Sequence, residues 1–290
     1  MTNPYLSPKE LAQAIGVSES SLKRWADDGK LSVSRTAGGH RRIALQEAVR
    51  FVRAGGHPLR DAGVLGLAVP VAPDGEDDLG EQLFDALREC DTVQGRALVL
   101  GAFLRGRSCA SLCDGPIRTA MERISALWRQ GPEGIAIEHL ATSMCLNLVG
   151  QLRILLPDAA SGSPVCLGGC LEGDGHALPS AMIATALTEC GWRALDLGGS
   201  TSQAVLTAAI ARHPPVLVWR SITVISDAAA TARELRALAN ELGRIPLVVT
   251  GRALDDLPLG DQVNIHPVAS MAELASFARG VACTARRRMC

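Results

Sequence analysis

The sequence predicts a multidomain chain in three parts: a small helical head with a β-hairpin wing, a four-helix bundle, and an α/β domain built on a parallel sheet. Three observations predict it. Helix-start and helix-stop residues recur through the first 55 residues around a Gly-Gly turn. The stretch 79–156 keeps apolar residues at helical spacing and has few β-rich runs. From residue 164 onward, short runs of Val, Ile and Leu alternate with helical stretches.

Composition sets the outer bounds. A chain of 290 residues exceeds one typical domain, and 47% hydrophobic with 20% charged residues indicates folded cores. Aromatics are only 3%, so those cores are packed with Leu, Val, Ile and Ala. The formal net charge of -1 argues against a general polyanion binder. Residues 1–60, however, hold ten Lys/Arg against five Asp/Glu. Such clustering is the footprint of a phosphate-binding surface, and it leaves the remainder of the chain net acidic. Nine cysteines are scattered, and the pairs Cys109/Cys113 and Cys166/Cys170 lack the two-residue gap of a zinc knuckle or redox loop. They read as reduced, mostly buried thiols. No basic segment followed by an apolar stretch opens the chain, and no run reaches the ~20 apolar residues that span a bilayer. A cytoplasmic location is expected.

The head is expected over 1–56. Ser7-Pro8-Lys9-Glu10 places a capping Ser, a Pro at the first helical position and a Glu three residues after the cap. Leu11, Ala14 and Ile15 turn inward, and Gly16 ends that helix. Ser18 then caps a second helix over 19–28, with Leu22 and Trp25 on its buried side, closed by Gly29. An extended piece over 31–35, the turn Thr36-Ala37-Gly38-Gly39, extended His40-Arg41-Arg42-Ile43 and a helix to about residue 53 follow. A second helix docked in the major groove would present Ser20, Ser21, Lys23 and Arg24 to phosphates and base edges. Arg35, His40, Arg41 and Arg42 would form a basic wing along the backbone. A small docking domain with a solvated basic face is the competing reading.

Residues 57–78, rich in Gly and Pro and acidic over 74–78, read as a linker with a short apolar element at 64–71. The bundle is expected over 79–160, with helices at 79–90, 91–105, 114–130 and 135–156. Asp91-Thr92 and Asp114-Gly115-Pro116 serve as its start signals. The α/β domain is expected over 161–290, with strands at 164–169, 192–197, 216–222 and 246–250. Its helices fall at 178–190, 202–212, 228–242 and 270–280. This rhythm implies a doubly wound sheet, Rossmann-like (flavodoxin-like), whose ligand site lies in loops after the strands.

Two patterns stand out beyond the head. Asp174-Gly175-His176 follows the first strand of the α/β domain, where a carboxylate two residues away could bond one imidazole nitrogen and leave the other for a metal. No cluster of other ligands lies nearby, so a metal ion held by protein alone is not expected. Trp128 is followed, after nine residues, by Glu138-His139. Read on their own, the His also suits a structural loop, and the Trp a core position beside an exposed Glu-His pair.

The run Gly16 to Trp25, with Gly29 and then Arg35-Thr36-Ala37-Gly38-Gly39-His40-Arg41-Arg42-Ile43, resembles the MerR-type winged helix-turn-helix. Taken with Trp128, Glu138-His139 and Asp174-Gly175-His176, the whole chain resembles the cobalamin-binding regulators of the CarH/LitR type. The resemblance implies a transcriptional regulator, a repressor, that binds double-stranded operator DNA as a homo-oligomer and is controlled by adenosylcobalamin and light. It implies His176 as the lower cobalt ligand, oriented by Asp174. Ser221, Thr223 and Gly251 would lie near the nucleotide tail, and Trp128, Glu138 and His139 would cover the upper face. Pro179 stands where the pattern has Gly, Thr250-Gly251 where it has two glycines, and Arg129 where the best-known light sensor of this type has a cobalt-capturing His. No catalytic residue is singled out. Two other readings stay open: a regulator whose α/β domain binds another small molecule or only associates, and a cobalamin-carrying methyltransferase subunit.

Overall fold

A computed structural model describes residues 5–57, 59–61, 63, 78–260 and 264–289, with side chains as far as Cys283. The expected apolar element at 64–71 lies outside the described residues. The backbone groups into two compact units, Met1–Pro157 and Asp158–Cys290.

The first unit opens with β1 (Tyr5–Leu6), α1 (Pro8–Ile15), α2 (Glu19–Asp27), β2 (Ser34–Arg35), β3 (Arg41–Ala44) and α3 (Leu45–Gly55). The capping box is present in full: Glu10 N donates to Ser7 Oγ at 3.2 Å and Ser7 N to Glu10 Oε2 at 2.6 Å. Those two bonds satisfy amides that helix geometry leaves orphaned. The Ser7 contacts hold the Glu10 carboxyl below the usual carboxylate range. Ser18 caps α2, and β3 pairs antiparallel with both β1 and β2, so the wing is a hairpin set against the head. Leu11, Leu22, Leu31, Ile43 and Val49 form the head's interior, and Trp25 stacks near Phe51 and His57.

Helices α4 (Leu79–Arg88), α5 (Thr92–Leu104), α6 (Cys109–Leu112), α7 (Arg118–Ala126) and α8 (Pro132–Leu155) complete this unit. Asp91 caps α5 as expected, accepting from Val93 N and Gln94 N. Asp114-Gly115-Pro116, by contrast, does not start a helix. The helix begins at Cys109 under a Ser108 cap and widens into a π turn over Cys113–Ile117, which holds Pro116 inside it. Proline has no N–H and its ring would strike the carbonyl four residues back, and a π turn relieves both. Cys109, Leu112, Cys113 and Ile117, all fully buried, keep the apolar stripe running through the defect. The last turn of α3 docks on this bundle: the Arg53 guanidinium sits 3.8 Å over the Phe103 ring and donates to the Arg107 carbonyl at 3.0 Å.

The second unit alternates β4 (Val165–Cys170), α9 (Ala177–Glu189), β5 (Arg193–Asp196), α10 (Gln203–Arg212), β6 (Leu217–Ser221), α11 (Ala228–Leu242) and β7 (Leu247–Thr250). It ends with β8 (Ile265–Pro267) and α12 (Met271–Met289). Strand β8 is an addition to the expected four; with three residues, one of them Pro, it carries too little β pattern to read. The sheet is wholly parallel with order β5-β4-β6-β7-β8, the doubly wound arrangement. Leu167, Val218, Ile222, Leu247 and Val249 pack with Leu206, Leu235 and Leu238 of α10 and α11 on one face. The chain leaves β4 and β6 in opposite lateral directions, so a crevice opens between their carboxyl ends.

Candidate functional site

At that crevice three strand ends come level, because Cys170, Ser221 and Thr250 are register partners across β4, β6 and β7. Asp174, in the loop after β4, is 1% exposed. Its Oδ1 accepts from His176 Nδ1 at 2.8 Å and from His176 N at 3.1 Å. Its Oδ2 reaches across the switch point to accept from Thr223 N at 2.6 Å. One buried carboxylate therefore fixes the imidazole and ties the loops after β4 and β6 together. With Nδ1 given to Asp174, the lone pair stays on Nε2 of a side chain that is 50% exposed. A carboxylate holding Nδ1 in this way orients the ring so that Nε2 can serve as a metal ligand. Among the described residues, no group of three or more His, Cys, Asp or Glu could hold a metal ion. A metal reaching His176 must bring its other ligands with it.

The hydroxyls of Ser221 and Thr223 are buried and meet no hydrogen-bond geometry to any described residue, although the Cys170 thiol lies near Ser221. Burying a hydroxyl without a partner costs about 1–3 kcal/mol, so the Thr223 hydroxyl is a group that a bound molecule or water can satisfy. Gly251 has φ +131, and a Cβ there would overlap the Ile222 carbonyl, so β7 turns close beneath the β6 loop only with glycine. Pro179 sits in the first turn of α9, where a missing N–H costs nothing.

Two residues of β6 escaped sequence reading. Arg220 is fully buried and donates from one nitrogen to the Cys170 and Thr201 carbonyls, each at 2.9 Å, clamping the loops after β4 and β5. Burial pushes its guanidinium below the usual value. Trp219, also fully buried, lies over Gly168 of β4, where any side chain would overlap it. Its Nε1 donates to Ser180 Oγ at 3.0 Å, and Ser180 donates to Asp196 Oδ1 at 2.7 Å. The signal was a Trp-Arg pair inside an otherwise aliphatic strand.

In the first unit, the short 3₁₀ turn Leu127–Gln130 packs on the start of α8, because Gly134 lacks the Cβ that would strike the Leu127 carbonyl. Trp128 is 60% exposed, which removes the core reading of that ring. Glu138 lies one turn beyond Gly134 on the same face of α8 and accepts from Thr142 Oγ1 at 3.3 Å. His139 is exposed, with Nε2 at 3.7 Å from Glu138 Oε2. Arg129 is exposed.

On the head, Ser20, Lys23, Arg24, Arg35, His40 and Arg42 are exposed, and Ser21 is half-buried. The Ser18 hydroxyl meets those of Ser20 and Ser21 at 2.8 and 2.9 Å, and Lys23 pairs with Glu19 at 2.8 Å. Arg41 is turned inward: it pairs with Asp27 at 2.5 Å and donates to the Lys23 carbonyl at 3.1 Å, holding the wing against α2.

Comparison with known proteins gives two matches along the chain. Residues 5–55 match a family model described as a helix-turn-helix domain, and residues 79–153 match one described as a B12 binding domain. No curated protein matches the chain. The monomethylamine corrinoid protein of Methanosarcina barkeri superposes with a TM-score of 0.56 at 16% identity, covering 71% of this chain and 100% of that one. At that identity the likeness is one of fold. The methanol:cobalamin methyltransferase complex MtaBC from Methanosarcina barkeri aligns at TM-score 0.39 and 15% identity, over 92% of this chain and 93% of that one. A cobalamin-binding protein from Desulfitobacterium hafniense DCB-2 aligns at 0.36 and 15%, over 70% and 98%. Neither superposition is close enough to carry an argument. Among the described residues, no helix is long and apolar enough to cross a membrane.

Proposed function

We propose that this chain, which joins a helix-turn-helix domain to a B12-binding domain, is a transcriptional regulator whose DNA binding is set by a bound corrinoid. The Asp174–His176 pair carries the reading, since it presents Nε2 at the sheet's switch point with, among the described residues, no cluster of further protein ligands. When bound, the corrinoid would supply a cobalt centre for this chain's side chains to hold. His176 would ligate the cobalt through Nε2, and Asp174 would keep the proton on Nδ1. Ser221 and Thr223 offer hydroxyls at the crevice, and Gly251 lets β7 turn close beneath the β6 loop that carries them. Trp128, Glu138 and His139 are assigned to the upper group.

The finer reading is a repressor that takes an adenosyl corrinoid and loses the upper group in light. Arg129 does not replace that group, because a guanidinium keeps its proton and offers no lone pair. Exposed Arg24, Arg35, His40 and Arg42, with Lys23, Ser20 and Ser21, read DNA, whereas Arg41 positions the wing. Several heads acting together in a homo-oligomer would raise avidity steeply, so a ligand that changes assembly changes occupancy. A methyl-carrier subunit would share the fold but leave the basic face of the head unused.

The test is a dark titration with adenosylcobalamin, and separately with adenosylcobinamide, followed by visible spectroscopy, light scattering and DNA binding before and after green light. A bound spectrum that changes in His176→Ala supports the ligand assignment. No binding of either probe refutes the corrinoid reading. Unchanged size and DNA affinity after illumination refute the light response alone.

A further inference from the structure

The buried β6 tryptophan bears on which corrinoid the α/β unit accepts. Cobalamin carries its lower base on a phosphoribosyl tether. Once His176 holds the lower cobalt position, base and tether must be housed on the His176 side of the ring. The space available is the crevice between the ends of β4 and β6 and the start of α9, beside the buried Ser221 and Thr223 hydroxyls.

Side chains two residues apart on a strand share a face, so Trp219 lies about 7 Å deeper than Ser221 on the same side of the sheet. Its indole covers Gly168 and is fully buried. The chain Trp219 Nε1 to Ser180 Oγ (3.0 Å) to Asp196 Oδ1 (2.7 Å) ties the ring to α9 and β5 at once. Swinging the indole aside would break a buried hydrogen-bonded chain and open a void beneath α9. An indole is, moreover, the size of the benzimidazole that cobalamin would insert. One close-packed layer between sheet and helix holds one such bicycle, not two.

We infer that Trp219 is a specificity-determining residue, which makes this site prefer corrinoids with no lower nucleotide tail over cobalamin; the inference rests on the corrinoid reading above.

The full chain is titrated with hydroxocobalamin and with diaquacobinamide, His ligation being read from the visible spectrum. Displacing cobalamin's own base weakens its binding at any protein His, so the decisive quantity is how the cobinamide-to-cobalamin affinity ratio changes on mutation. In Trp219→Ala the ratio should move at least tenfold toward cobalamin. Trp219→Leu, which keeps an apolar side chain in the core, should move it in the same direction, with folding checked by circular dichroism. A ratio unchanged in the folded variants overturns the inference, as does wild-type protein that binds both probes equally tightly with His ligated. If neither probe binds wild-type protein, the corrinoid reading fails and the inference with it.

Discussion

Asp174→Asn removes a charge and one acceptor while keeping the shape of the side chain. The carboxylate accepts three bonds, two on Oδ1 from His176 and one on Oδ2 from Thr223 N. An amide has one oxygen. If that oxygen faces His176, its NH₂ opposes the Thr223 N–H, so one bond is replaced by two facing donors. Bonds to a charged acceptor contribute about 1.5–3 kcal/mol and neutral ones about 1, so the two survivors weaken by about 1 kcal/mol together or more. The lost bond adds about 2 kcal/mol, for a total of about 3 kcal/mol, or roughly 10 °C in the melting temperature of a unit this size. Corrinoid affinity should fall about 10- to 100-fold, because a neutral acceptor holds Nδ1 more weakly and no longer polarises the imidazole as a carboxylate does. Differential scanning calorimetry of the free protein and spectral titration of the variant read the two effects separately. Wild-type affinity with a wild-type spectrum would refute the claim that Asp174 sets the ligand, whatever the melting temperature does.

On random-sequence duplex DNA, Arg42→Ala should weaken binding and lower the salt-dependence slope by about one unit, the signature of one phosphate contact. Arg41→Ala should instead lower the head's melting temperature, because its guanidinium is held by Asp27 and the Lys23 carbonyl; an unchanged melting temperature contradicts this placement. Burial acts to raise the Glu47 carboxyl, but Arg50 and the Ser32 amide outweigh it and hold the group below its ordinary value of 4.5. A depressed folded value means stabilisation present above the unfolded value and lost as pH falls through the folded one. Acid unfolding of the head should therefore be steeper in wild type than in Glu47→Gln below about pH 4.5. Burial pushes the Cys145 and Cys170 thiols up to about 12, so at pH 8 a disulfide reagent should label exposed Cys90 and Cys283 first. Equal labelling rates would contradict the burial of Cys145 and Cys170.

Much of this architecture is legible along the chain because local chemistry dictates it. Ser7, Ser18 and Asp91 each cap the helix that follows, since a short polar side chain is the nearest group able to satisfy the first amides of a helix. The aliphatic strands and the helices between them likewise announce a parallel sheet, whose both faces must be covered. Asp174 and His176 could be paired from sequence because their bond spans two residues. The start signal read at Asp114-Gly115-Pro116 misled, because the buried stripe from Cys109 to Ile117 outweighed the local penalty of Pro116. A chain segment alone does not show that its apolar side will be covered.

Non-local contacts were decided only by the fold. Nothing in the spacing of Asp174 and Thr223, 49 positions apart, says that one carboxylate bridges two loops; the strand order brings them together. Arg41 reads as one more basic residue until Asp27 and the Lys23 carbonyl claim it. Trp219 and Arg220 occupy an aliphatic strand where alternation sends one to each face: Arg220 to the carbonyls of two loops, Trp219 onto Gly168 and under α9. The sequence by itself determined that the chain carries a helix-turn-helix head and an Asp174-Gly175-His176 run just after a strand. The tertiary structure decided which basic side chains of the head stay exposed and that the Trp219 indole fills the layer beneath α9. Both depend on groups distant in sequence that occupy the same volume, and only packing fixes which of them does.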